Sequence, residues 1–421
     1  MISIFDWYNQ ETQDLHYTLK QQGNIMPTIV LEETGFLPKD VITPYQYFCQ
    51  WNTEGTALYF NQVPIDTYDE IIGNNMQANI FSNNGTKKGR IIYQTKGTSD
   101  RIVKEVLWFV QEANDIERYI AKDHYNQYGF RYAQTIYNES GKESMKFYYN
   151  NQGKIVIIEN KLIGDVILFD GVRLNIFKRK LDFIKYFLNV SPFDISKIFY
   201  NTLATSFFVT LELKNREGKD VLFWHEKLSD PEHLPGNMQL ILNGKCQTSK
   251  IYFQIKEDYD KLKALDNNNQ YDMINYFGYN YPFKRENMGR KEILILTNSD
   301  QIEGLQTLVE SLPDFQFHIA SLTEMSKKLI DYQLYENVHL YPNISPENVE
   351  FVFKQCDIYL DINYGNEILG AVRQAFLNKM TIFAFTKTVH NSKYVPLKNI
   401  FSENNVVDMI TSIKSIDFAK D

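Results

Sequence analysis

Asp357-Ile-Tyr-Leu-Asp-Ile-Asn-Tyr-Gly-Asn366-Glu-Ile-Leu-Gly-Ala-Val-Arg-Gln374-Ala-Phe-Leu-Asn-Lys-Met-Thr-Ile-Phe-Ala-Phe385 is the stretch that decides how this chain is built. Residues 357–362 read as a buried strand, residues 367–378 as a helix, and residues 381–385 as a second buried strand. Two buried strands joined through a helix form a parallel crossover unit. Working back toward the N-terminus, residues 292–296, 315–320 and 338–341 are further strands, with helices around 301–311, 324–335 and 345–355. Strands alternating with helices predict a parallel sheet that meets its ligands at the strand C-termini.

The N-terminal region has the same texture. Residues 2–5 form an apolar strand and residues 11–22 a helix with Leu15 and Leu19 on one face. Gly23 ends that helix, and residues 28–31 are a second buried strand. From Leu58 to Asp170 the pattern changes to strand-like runs (90–93, 104–110, 117–122, 131–137, 146–149 and 154–158). Turns rich in Asn and Gly, at 83–85, 138–141 and 150–153, separate them as hairpin chemistry does. This reads as an antiparallel β domain inserted into the first α/β domain. After Asp170 we expect helices at 180–188, 196–202 and 237–242, and strands at 207–213, 220–223 and 251–255. The Asn-rich stretch 266–271 reads as a hinge or loop. The resulting division is 1–57 with 171–265 as one α/β domain, 58–170 as the insert, 266–405 as a second α/β domain, and 406–421 as a C-terminal helix or tail.

The 421 residues suit two or three domains, and a 43% hydrophobic content is ample for their cores. A formal charge of −8 argues against a nucleic-acid partner, which needs a clustered basic surface. Three scattered cysteines show neither pairing nor zinc spacing, which suits a reducing cytoplasm. The chain opens directly on a strand with no signal-peptide pattern, and no apolar run reaches the length of a membrane span. Any membrane contact is therefore expected to be peripheral, at the cytoplasmic face. No metal cluster, phosphate-binding loop or nucleophile elbow appears, so no cofactor is expected.

The runs Ile4-Phe-Asp-Trp-Tyr-Asn-Gln-Glu-Thr-Gln-Asp-Leu15, Pro27-Thr-Ile-Val-Leu31, Gly35-Phe-Leu-Pro38 and Pro44-Tyr-Gln-Tyr-Phe48 resemble the opening of the glycosyltransferase-stabilising (GtfB) family. Phe223-Trp-His-Glu226 and Leu234-Pro-Gly-Asn-Met238 resemble segments that the family shares with its partner enzymes. The resemblance implies a GT-B glycosyltransferase architecture, two Rossmann-like domains with an inserted β-sheet domain. It implies a pseudoenzyme that acts as a chaperone-like adaptor for a catalytic homologue, commonly in a two-plus-two heterotetramer. It also implies that the adaptor holds a serine-rich repeat adhesin, glycosylated in the cytoplasm before export by the accessory Sec route, while the partner adds the first sugar, usually N-acetylglucosamine, to Ser or Thr.

In retaining two-Rossmann glycosyltransferases the helix of the opening stretch carries a Glu-x7-Glu pair for the donor sugar and ribose; here the matching positions are Asn366 and Gln374. An amide fills the same volume but cannot act as an anion. Counting from Glu367 instead places Ala375 eight residues on, so the pair is broken in either register. An ordinary strand–helix–strand unit with a polar helix face would read the same way. The pyrophosphate normally meets Arg and Lys after the first strand of this domain, yet residues 297–304 contain two acids, Asp300 and Glu303, and no base. The ordinary role for Asp300 is to cap the next helix. Trp7 and Tyr8 stand where active relatives place glycines; they would crowd a nucleotide, and either packs on a peptide or fills the core. His225 is a sugar contact or base by one reading and a satisfied structural histidine by the favoured one. Asp6, Glu226 and Asp361 read as caps or loop anchors. Asn237, Asn363, Tyr364 and Asn366 are neutral hydrogen-bonding groups suited to an uncharged Ser/Thr peptide. The acceptor-binding candidates are therefore Trp7, Tyr8, His225, Asn237, Asn363, Tyr364, Asn366 and Gln374, with no catalytic residue. The rival reading is an active retaining glycosyltransferase that uses a nucleotide-sugar, and a third is a plain scaffold that contacts only the enzyme.

Overall fold

The computed structural model describes residues 1–95, 100–112, 116–213, 219–230, 233–266 and 271–416. These divide into a first unit that ends at Asn280 and a second that begins at Tyr281. Most of the expected hinge at 266–271, and the last five residues of the expected tail, lie outside the described residues.

The first unit is built on a seven-stranded parallel sheet in the spatial order Ile274–Tyr276, Thr248–Phe253, Asp220–Trp224, Ile198–Tyr200, Ile2–Phe5, Thr28–Val30, Val41–Ile42. All four residues of Ile2–Phe5 are buried, as a central parallel strand covered on both faces requires. Asn9 caps the following helix, Gln10–Gln21, by accepting from the Thr12 amide at 3.0 Å. Two expected elements exchange type. Residues 198–200 form a strand rather than the middle of a helix, since Ile198, Phe199 and Tyr200 are all buried between two parallel neighbours. Residues 205–212 form a helix rather than a strand. Their run of aromatic and β-branched residues favours a strand locally, but burial of Phe207, Val209 and Thr210 on one face overrides that preference. The strand Ile274–Tyr276 pairs with residues 251–253, so the first sheet extends beyond the boundary expected at 265.

The insert is a ten-stranded antiparallel sheet in simple sequential order, from Glu70–Gly73 to Leu174–Phe177. Its last strand bonds to Val166–Phe169, so the insert ends at Phe177 rather than at residue 170. The three Asn/Gly turns form the hairpin ends expected of them, with Gly85, Gly141 and Gly153 at φ of 81°, 73° and 72°. One face of the insert shares a core with the first sheet. Tyr148, Ile157 and Leu168 pack with Ile2, Ile4 and Ile29. Tyr45 stacks on Tyr148 at 4.2 Å between ring centroids, and Trp51 Nε1 donates to the Tyr149 carbonyl at 2.6 Å.

The second unit holds a six-stranded parallel sheet in the order Val338–Tyr341, Gln316–Ala320, Glu292–Leu296, Ile358–Asp361, Thr381–Phe385, Ile400–Phe401. Three helices are shorter than their sequence patterns suggest. The first begins only at Leu305, and the second is Lys327–Ile330 continued by a 3-10 turn. The third is Ala371–Leu377, because Leu369 and Gly370 adopt left-handed φ of 54° and 59° and interrupt the helix before it. The C-terminal helix Val406–Lys414 buries Met409, Ile410 and Ile413 in this unit's core and is not an appended tail. Among the described residues, no helix is long and apolar enough to cross a membrane.

Asp357 ties the entry segment of this unit to its central strand. Its carboxylate accepts from Arg285 Nη1, from Arg290 Nε at 2.8 Å, and from the Arg290 amide at 2.9 Å. Burial opposes the charge, but the bonds from Arg290 and Arg285 outweigh it and hold the carboxyl at about 2. The stabilisation is complete above the ordinary aspartate value and is lost as the pH falls through the folded one. Asp357→Ala should destabilise the second unit by about 3 kcal/mol, the low end for a broken buried pair because Arg290 keeps solvent contact. Urea unfolding at neutral pH measures that loss, and in wild type the same contribution should fade only in strong acid.

Candidate functional site

In an open parallel sheet, ligands bind where the strand order reverses, outside the strand C-termini. In the second unit that point lies between Glu292–Leu296 and Ile358–Asp361. The loops leaving these strands cross it and bond to each other. The Glu303 amide donates to the Ile362 carbonyl at 2.8 Å, and the Tyr364 amide to the Gln301 carbonyl at 3.0 Å. The Tyr364 hydroxyl donates to Glu303 Oε2 at 2.5 Å, a bond that pushes its pKa up to about 12. Asn298 fills the space beside Gly365 so tightly that its Oδ1 stands 1.8 Å from where a Cβ there would lie.

The half-buried His390 and the buried Asp361 pair on the other side. His390 Nδ1 lies 2.5 Å from Asp361 Oδ1, its Nε2 lies 2.6 Å from the Gly365 carbonyl, and its amide donates to Asp361 Oδ2 at 2.7 Å. Both ring nitrogens thus face acceptors, and an imidazole satisfies both only as the doubly protonated cation. Burial opposes that charge on His390, but the Gly365 carbonyl and Asp361 outweigh it and raise the pKa. Burial also raises the Asp361 carboxyl, and the His390 bonds offset this only in part. The pair therefore holds its protons to a higher pH than either group alone.

The expected amide pair does not sit on one helix. Asn366 is exposed in the loop before Ala371–Leu377, and only Gln374 is helical. Gln374 Oε1 accepts from Lys284 Nζ at 2.8 Å. Glu367 accepts from the Val372 amide at 2.9 Å and so satisfies the helix's own first turn. Asp300 does not cap the helix that follows it, Leu305–Ser311, whose N-cap is Gly304. Asn363 is 2% exposed and its Nδ2 has no partner among the described residues, leaving a buried donor at the reversal point. Tyr364 is exposed on the surface of the crossing.

The first unit has its own reversal point, between Ile2–Phe5 and Ile198–Tyr200. Asp6 occupies it. Its carboxylate accepts from Thr202 Oγ1, from Ser206 Oγ at 2.7 Å and from the Ser206 amide at 3.2 Å. A carboxylate therefore already fills the anion position at the start of Thr205–Glu212. Around it the structure gathers three sequence candidates. His225 Nδ1 lies 3.0 Å from the Asn201 carbonyl, a structural contact, and Asn237 Nδ2 donates to the Leu203 carbonyl at 3.0 Å. Tyr8 packs its ring in the core, with its hydroxyl 2.9 Å from His16 Nδ1. Trp7 is 51% exposed. Sequence reasoning missed His390, Asn298 and Ser206, all loop or helix-start residues with no periodicity to mark them. Among the described residues no group of three or more His, Cys, Asp or Glu could hold a metal ion.

The sequence matches, in chain order, the GtfB N-terminal domain over residues 2–48, the GtfB middle domain over 69–178, the GtfB third domain over 180–265 and the GftB/GlyA-F C-terminal domain over 293–420. It is 43% identical over 419 residues to the UDP-N-acetylglucosamine–peptide N-acetylglucosaminyltransferase stabilizing protein GtfB of Streptococcus gordonii, covering 98% of this chain and 91% of that one. It matches a chain of a crystal structure of a GtfA/B complex bound to UDP and GlcNAc with a TM-score of 0.90 and 42% identity, covering 98% of this chain and 95% of that one. The pneumococcal O-GlcNAc transferase GtfA in complex with UDP and GlcNAc shares the fold, with a TM-score of 0.53 at 13% identity over 98% of this chain and 91% of that one. On the full-length match to the Streptococcus gordonii protein and the succession of domain matches, this chain belongs to the GtfB family of glycosyltransferase-stabilizing proteins.

Proposed function

We propose that this chain is the non-catalytic, acceptor-holding subunit of a protein O-glycosyltransferase. The observation that carries this reading is the closed reversal point of the second sheet. A nucleotide-sugar needs room for its diphosphate and either cations or free amides to hold it. Here two loops bond across that space, Asn298 and His390 fill its flanks, and the loop 297–304 brings Asp300 and Glu303. The two parallel-sheet regions are then the Rossmann-like domains of a GT-B architecture, with the antiparallel sheet as an insert. The stabilizing role named for the Streptococcus gordonii relative supports a catalytic homologue as partner, and the GtfA/B complex supports its stable association. The assembly we propose is two plus two, in the cytoplasm or peripherally on its membrane face. The acceptor is a serine-rich repeat protein, and N-acetylglucosamine is the first sugar added. Trp7, Tyr364 and Asn366 offer exposed rings and an amide to an uncharged peptide, while Tyr8, His225, Asn237, Asn363 and Gln374 shape the surfaces beneath.

Calorimetry of the purified chain should show binding of a Ser/Thr-rich acceptor peptide and none of UDP-N-acetylglucosamine at millimolar concentration. Micromolar donor affinity would overturn the reading. Restoring both acids with Asn366→Glu and Gln374→Glu should produce no transfer by the chain alone. Glutamate at 374 would meet Lys284, and glutamate at 366 would stand in a loop rather than on the helix. Sugar transfer measured by mass shift of the acceptor would contradict this.

The pin that closes the crevice gives a separate check. His390 has a raised folded pKa, so its contribution to stability is complete below its ordinary value and is lost as the pH rises through the folded one. An imidazole NMR titration should place His390 above the free histidine value of about 6.5. A midpoint at or below that value would show that the pair does not hold the crevice through charge.

A further inference from the structure

Lys146 lies on the insert face that packs against the first sheet, next but one along its strand to Tyr148 of the shared core. Its neighbours across the sheet are Thr135 and Glu159, which are 1% and 3% exposed. Beyond Thr135 the row continues to Lys122. A lysine opposite a glutamate ordinarily pairs with it, but the Glu159 carboxylate is already engaged. It accepts from the Tyr45 hydroxyl, from Lys161 Nζ at 2.5 Å and from the Tyr148 hydroxyl at 3.4 Å. Lys122 in turn donates to Glu143 at 2.9 Å. Among the described residues no carboxylate bonds the Lys146 ammonium, which lies 4.9 Å from the Tyr148 ring centroid instead. Burial outweighs the attraction of Glu159, and Lys161 adds repulsion, so the Lys146 amine holds its proton less firmly than an ordinary lysine. Burial acts on Lys122 too, but the bond to Glu143 outweighs it and raises that group. The other groups whose charge reaches Lys146 are Glu32, Glu33, His124 and Glu143.

We propose that Lys146 is a modification site, acylated on the folded protein by an acyl phosphate without the help of an enzyme. The proposal is independent of the acceptor-holding role. Only the free amine is a nucleophile, and desolvation beside a second cation is the usual way a lysine is activated. Partial burial and the neighbouring Lys161 supply both conditions here. Lys161 also draws the reagent. Its side chain is 32% exposed, so it meets solvent beside the partly exposed Lys146 and offers a point charge to the phosphate group. In the reaction the Lys146 nitrogen attacks the carbonyl carbon and a C–N bond forms. The bond from that carbon to the bridging phosphate oxygen breaks, and phosphate leaves with the electron pair. The surplus amine proton passes to the phosphate. The product is a neutral amide in the joint between the insert and the first sheet, which ends the repulsion between positions 146 and 161.

The test incubates the full folded chain with acetyl phosphate from about pH 7 to 9 and follows each lysine by peptide mass spectrometry. Near neutral pH, Lys146 should be acetylated about tenfold faster than the exposed Lys154 and Lys245. Its rate should level off as the pH rises, whereas an ordinary lysine keeps gaining about tenfold per pH unit up to its own value of about 10.4. Lys161→Met removes the neighbouring cation and releases Glu159 to pair with Lys146. It should therefore slow acetylation at Lys146 about tenfold near neutral pH and leave Lys154 unchanged. Lys146→Arg should lose that one acetylation and no other. Thermal unfolding checks both variants, and if Lys161→Met fails to fold, the pH profile of the unsubstituted chain decides. Absence of acetylation at Lys146 in the folded chain, or a rate no faster than at Lys154, overturns the proposal. So does a fast rate that Lys161→Met does not slow, or one that never levels off with pH.

Discussion

Two backbone hydrogen bonds, from the Glu303 amide to the Ile362 carbonyl and from the Tyr364 amide to the Gln301 carbonyl, decide what the second sheet can do. They join the loops that in an open sheet of this kind part to admit a ligand. Once the loops are joined, the remaining contacts follow from closure. Asn298 packs on Gly365, the Tyr364 ring lies outside, and Glu303 serves as its acceptor. A Cβ at Gly365 would displace the Asn298 side chain from this packing.

Electrostatics and geometry reach the same end independently. The crossing loop brings acids rather than bases, and Glu367, the one acid retained near the helix, satisfies the Val372 amide. At the first unit's reversal point, Asp6 already provides the negative charge that the start of Thr205–Glu212 attracts. Both positions where a phosphate would be held by backbone amides are thus met by the chain's own groups. Neutral groups lie there as well: the buried Asn363 donor and the exposed rings of Trp7 and Tyr364.

Much of this was legible in the residues. The alternation of apolar strands with helices in the second unit and the Asn/Gly turns of the insert predicted the sheets in kind, because burial on two faces and turn chemistry leave direct traces. The absent cation at 297–304 needed only the letters. The rest was not legible for identifiable reasons. Ile198–Tyr200 and Thr205–Glu212 exchanged roles because short apolar runs carry no period that separates strand from helix. The helix at 367–378 lost its first turn to the left-handed Leu369 and Gly370, which also removed Asn366 from Gln374's helix. The pin from His390 to Asp361 and Gly365 spans some 25 to 29 positions of sequence, and no local pattern announces it. The bonds that Trp108, Gln134 and Arg131 donate to the buried Asp123 join neighbouring strands of the insert and become visible only once their register is known.

The shared core between the insert and the first sheet has a mechanical consequence. Tyr45 stacked on Tyr148, and Trp51 bonded to Tyr149, tie the insert to that sheet. Tyr149 is joined through Trp51 to the same framework that holds Ile2–Phe5. A pull on the insert is therefore passed through that shared core to Ile2–Phe5 and the residues that follow it. The insert and the start of the first sheet therefore keep one spacing, as two marks on a single ruler do.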